Sequence, residues 1–87
     1  MFTMKTEQYE YLALCPNELL AETRTKWREW VKQLRTFKTR TGNIPGEDGT
    51  ILKARLDEAG DLVLIIIRDE KTGVDLKRHA ILNVSQL

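Results

Sequence analysis

Eighty-seven residues, 41% hydrophobic and 31% charged with a net charge of +1, describe one folded domain rather than two cores or a disordered chain. One cysteine, Cys15, and one histidine, His79, exclude an internal disulfide and a Cys/His metal cluster, so packing alone must hold the fold. The longest aliphatic run, Leu62 to Ile67, is far shorter than the roughly 20 residues of a membrane-spanning helix. The opening MFTMKTEQYEY has neither a basic leader nor a long apolar stretch, which points to the cytoplasm.

In chain order, residues 1–15 come first and fit two descriptions. Tyr9, Tyr11 and Ala13 alternate with Glu10, Leu12 and Leu14 as a strand would, while Glu, Gln, Leu and Ala also favour helix. Residues 16–41 are expected to form one long amphipathic helix. Leu20, Thr23, Trp27, Trp30, Leu34 and Phe37 recur at steps of three and four, the spacing of a single helical face. Pro16 suits a first turn, Cys15 or Asn17 the cap, Glu18 and Glu22 the positive dipole end, and Gly42 the stop. The two tryptophans read as core, with Trp27 the one placed to be partly exposed.

Residues 42–49, GNIPGEDG, are expected to be a loop, and 50–87 a three-stranded antiparallel meander. Leu52, Ala54 and Leu56 alternate with Lys53 and Arg55, whose charges read as protection of an exposed sheet edge. Leu62 to Ile67 is aliphatic on both faces, as befits a central strand covered on each side. Asp57-Glu58-Ala59-Gly60 and Glu70-Lys71-Thr72-Gly73 are the two hairpin turns. In the last strand Val74, Leu76, Ala80, Leu82 and Val84 share a parity that Arg78 interrupts, so a bulge is expected near Arg78. The expected architecture is therefore an α+β domain, αβββ, with the helix across one sheet face. That order resembles the start of double-stranded RNA-binding domains. A basic second helix, which that family uses, has no counterpart after the last predicted strand, so the likeness is one of topology only.

Three features bear on function. The far face of the central strand needs cover, either from Tyr9, Tyr11, Leu12 and Leu14 or from a second copy through a sheet face or edge. The helix carries seven bases and one acid, Glu29, between residues 24 and 40. Arg24, Arg28, Lys32, Arg35 and Lys38 fall on one arc and form the expected partner-binding stripe, which also suits the solvated side of a helix. Nothing in the chain suggests a cofactor, a metal or a catalytic residue: GNIPGEDG lacks the ending of a phosphate loop, and Cys15 with His79 is the only Cys/His combination for a nucleophile and its base.

The chemistry thus points to a non-enzymatic binding protein that modulates or inhibits a larger macromolecule, with a protein partner ahead of nucleic acid. Compact inhibitors and regulators of mobile genetic elements often have this size. The alternative is sequence-tolerant nucleic-acid binding through the basic helix stripe.

Overall fold

The computed structural model describes residues 2–6 and 8–87. Six strands form one mixed sheet: β1 (Phe2–Lys5), β2 (Glu10–Leu14), β3 (Thr41–Pro45), β4 (Thr50–Leu56), β5 (Leu62–Asp69) and β6 (Asp75–Leu82). Among the described residues one α-helix, α1 (Ala21–Thr36), joins β2 to β3, and short 3-10 turns occupy Pro16–Glu18 and Val84–Gln86. The strand order is β1-β2-β6-β5-β4-β3. Every pairing is antiparallel except β2 with β6, which run parallel with Leu12 opposite His79, Ala13 opposite Ala80 and Leu14 opposite Ile81. Among the described residues no helix is long and apolar enough to cross a membrane.

This sheet corrects the expected three-stranded meander. The antiparallel run β4-β5-β6 is present, but each of its edges is occupied. On one side, residues assigned to a loop form β3, with Ile44 opposite Leu52 and buried. The glycine and proline content had argued for a loop, yet an edge strand tolerates proline because one of its two hydrogen-bonding rows is unpaired. On the other side, β1 and β2 form a hairpin that pairs with β6 rather than folding across the sheet. The alternation of Tyr9, Tyr11 and Ala13 prevails over helix propensity because pairing satisfies the backbone groups along the outer row of β6. The six-strand order also removes the topological likeness to double-stranded RNA-binding domains.

The helix is shorter than expected at both ends. It opens after Leu20, which is 77% exposed, and closes before Phe37, 42% exposed, so neither belongs to the core. Upstream, Pro16–Glu18 is a separate 3-10 turn in which Glu18 Oε2 accepts the Cys15 backbone N–H at 2.7 Å. Gly42 is not the helix stop but a β3 residue under the Phe37 ring: a Cβ there would lie 2.6 Å from the ring edge. Both predicted hairpin turns are present, closed by Gly60 and Gly73 at φ +75° and +71°, where a side chain would be strained.

Trp27, Val31 and Leu34 bring the helix down on Ile44, Leu52, Ala54, Leu56, Val63, Ile65, Ile81 and Val84. In β6, Ile81 faces the helix, while Ala80 packs on the opposite side with Tyr11 and Ala13. A register shift opposite Ile67 and Arg68 leaves Leu76 without a partner, two residues from Arg78. Val84 reaches the helix-side core because the last turn is pinned to the β4–β5 connection. There the Val84 N–H donates to the Asp61 carbonyl at 3.1 Å and the Ser85 N–H to Asp61 Oδ1 at 3.0 Å.

Candidate functional site: a basic hollow on the open face of the sheet

The helix covers one sheet face; among the described residues no helix covers the other. Register assigns to that open face Tyr11 and Ala13 of β2, Ala80 and Arg78 of β6, Leu64 and Ile66 of β5, Lys53 and Arg55 of β4, and Thr41 and Asn43 of β3. The aliphatic run of β5 is thereby explained: Val63 and Ile65 meet the helix, while Leu64 and Ile66 floor the open side, half-buried.

The open face is not flat. A hollow of about 540 Å³ is lined at one end by Thr6, Gln8, Tyr9 and Tyr11 and at the other by Thr41 and Asn43, with Lys53, Arg55, Leu64 and Ile66 between. β2 and β3 are four strand intervals apart, about 19 Å in a flat sheet. Residues from both ends lining one hollow mean that the flanks of the sheet approach each other over this face. The Tyr11 phenol is consistent with that geometry: burial pushes its pKa up, and the charge of Arg55, three strands away, is among those that pull it back.

Arg68 of β5, opposite Ile51 and Asp75, is the fourth cation on this face among the described residues, and two of the four are committed internally. Asp75 receives Arg68 Nε on Oδ1 at 2.6 Å and Arg78 Nη2 on Oδ2 at 3.2 Å. Arg78 also lies over the Tyr9 ring, 4.4 Å from its centroid, and Tyr9 stands edge-on to Tyr11 at 6.4 Å. These contacts brace the tyrosine wall. Lys53 and Arg55, both exposed, have no hydrogen-bond or ion-pair partner among the described residues. On an edge strand these two charges would serve as edge protection. With β3 outside it, β4 is not an edge, and their charges point into the hollow's lining instead.

The Asp75 bracket makes a testable contribution to stability. Its carboxyl is held below the usual range, first by the Arg68 hydrogen bond. A depressed carboxyl stabilises the fold above the unfolded-state pKa, about 3.9, and that contribution disappears as pH falls through the folded value. Asp75→Asn is therefore expected to cost ~1.5–3 kcal/mol at pH 7 by urea unfolding, the range for hydrogen bonds to charged groups. The gap from the parent should narrow below about pH 4. An equal loss at pH 7 and pH 3 would contradict the assignment.

The predicted helix stripe is only partly available. Arg24 is half-buried with an unpartnered Nε, and Arg35 Nη2 donates to the Gly60 carbonyl at 3.3 Å, tying α1 to the β4–β5 turn. Arg28 and Lys32 are exposed on the helix, and Lys38 lies beyond its end, exposed in the following turn. Arg40, beside them in sequence, is spent on the carbonyls of Asp57 and Glu58, at 3.2 and 2.9 Å.

A second hollow, about 460 Å³, lies between α1 and the β3–β4 hairpin and is spanned by the Lys26–Glu47 ion pair at 2.6 Å. Trp30 meets Trp27 edge to face there at 4.9 Å. Trp27, the one expected to be exposed, is 6% exposed, whereas Trp30 is half-buried. Among the described residues no cluster of His, Cys, Asp and Glu could hold a metal ion. His79 lies opposite Leu12 on β2, three residues before Cys15, and its Nδ1 is buried without a hydrogen-bond partner. No family model, curated protein or solved structure matches the chain.

Proposed function

We propose that this chain is a small non-enzymatic binding protein that modulates a larger, negatively charged macromolecule through the open face of its sheet. The observation that supports this reading is Lys53 and Arg55, unpartnered among the described residues, in the lining of a hollow with an apolar floor and a tyrosine wall. Convergent polar groups over apolar surface are the usual make-up of a recognition site. Cations left unpaired in the free protein attract an anionic partner and lose little to prior contacts when they bind it. A cytoplasmic location accords with this reading, since the lone Cys15 has no second thiol to join.

The exposed pair Arg28 and Lys32 supports the second reading, nucleic-acid binding along the helix. Tagged protein is to be recovered from a host lysate as the parent chain, as Lys53→Glu/Arg55→Glu, and as Arg28→Glu/Lys32→Glu. Loss of the partner from the first variant alone is the expected result. Loss from the second alone would transfer the function to the helix, and retention by both would remove each surface as the site.

A further inference from the structure

Building on the reading of the open face as the binding surface, we propose that its ligand is single-stranded nucleic acid, with phosphates on Lys53 and Arg55 and unpaired bases against Tyr9, Leu64 and Ile66. Charge makes the first selection. Strand positions on this face carry four cations, Lys53, Arg55, Arg68 and Arg78, against one carboxylate, Asp75, an excess of three positive charges among the described residues. A second copy of the chain meeting it face to face would set like charges together, which disfavours a homodimer here. The occupant is anionic.

Backbone chemistry makes the second selection. An acidic peptide in extended form is normally captured along a free sheet edge, where its own N–H and C=O groups find partners. Lys53 and Arg55 lie on β4, which is paired with β3 on one side and β5 on the other, so this part of the face offers side chains and no free ladder. A peptide strand laid over Leu64 and Ile66 would leave its main chain desolvated against apolar surface. A nucleobase has no such difficulty. Its polar groups lie on the rim and its faces are apolar, so it stacks on aromatic and aliphatic side chains while the phosphate remains at the cations.

The same argument separates single strands from duplexes. In a duplex the base faces are already stacked on each other, and only phosphates and groove edges are presented. The tyrosine and aliphatic floor would then be unused. Because the recognition groups are π-faces and point charges with no base-edge pattern, binding is expected to be tolerant of sequence.

The test is fluorescence anisotropy with the full chain, using labelled single-stranded oligothymidylate and oligouridylate, a duplex of the same length, and an oligoglutamate peptide as the acidic-chain probe. The single strands should bind, more tightly than the duplex, with log K falling linearly against log salt. Lys53→Gln/Arg55→Gln should weaken single-strand binding by at least about tenfold and reduce the salt slope by about 1.4, two contacts at about 0.7 each. Tyr9→Leu should weaken it about fivefold or more and Tyr9→Phe restore it, since phenylalanine keeps the ring face. Circular dichroism of each variant excludes loss of fold as the cause. Failure of the single strands to bind at low salt, or preference for duplex or oligoglutamate, would overturn the proposal. If in addition the Lys53→Glu/Arg55→Glu chain loses a partner from lysate that survives nuclease, the open face is still a binding surface and its ligand is a protein. If that variant loses nothing, both readings fail together.

Discussion

Leu34→Ala should lower the stability of this protein by ~3–5 kcal/mol, whereas Leu20→Ala should leave it within about 0.5 kcal/mol of the parent. Both leucines fall on the same stripe in the sequence. In the structure Leu34 is 0% exposed among Ile65, Ile81 and Leu56, and Leu20 is the exposed cap residue before the first helical turn. A domain of 87 residues has roughly 4–13 kcal/mol in total, so the first substitution removes a large share of it. Urea unfolding of the two variants checks this, with the parent slope retained as the sign of an unchanged unfolding reaction. Similar losses at the two positions would mean that the helix sits rotated or extended relative to the sheet.

Ala80→Asp is the second large effect. Ala80 and Ala13 are 0% and 1% exposed, opposite each other in the parallel β2–β6 pair and packed beneath Tyr11. A carboxylate there has no space and no partner, and an uncompensated buried ion costs several kcal/mol, more than the ~1 kcal/mol spanned by strand propensities. The variant is expected to be unfolded or close to it at 25 °C by circular dichroism. Were β6 an edge strand with its far face in water, as a three-stranded meander has it, the same change would cost no more than the propensity term. Near-parental stability would therefore contradict docking of the β1–β2 hairpin.

What the sequence conveyed well were the features with a strong local cause. The helix centre around Trp27 and Leu34, the alternation of β4, and the two glycine-closed turns follow from periods and backbone constraints that neighbours in the chain enforce. The helix ends were misjudged because Leu20 and Phe37 continue the apolar spacing after the backbone has left the helix. The sheet was misjudged because strand pairing is non-local: nothing within Phe2–Leu14 or Thr41–Pro45 states that β6 and β4 have unpaired rows to accept them.

The candidate site was hidden by the same step. Lys53 and Arg55 were visible as an alternating charged row, but their meaning depends on whether β4 is an edge. With β3 in place, that row becomes the lining of a hollow. The legible clue was Leu62 to Ile67, apolar on both faces and so requiring something opposite each. The helix bases, by contrast, were conspicuous in sequence, and two of the five, Arg24 and Arg35, are partly buried or tied to the body of the fold.

The proposed binding face exists only if the β1–β2 hairpin extends the sheet beside β6, since Tyr9 and Tyr11 then wall the hollow. The most direct measurement is the set of nuclear Overhauser contacts in the isotopically labelled full chain. Backbone contacts between Leu12–Leu14 and His79–Ile81 in a parallel pattern are the predicted result, with slow amide exchange in β6. Absence of these β2–β6 backbone contacts, with β6 exchanging as an edge strand, would mean that the hairpin does not extend the sheet and would contradict this arrangement.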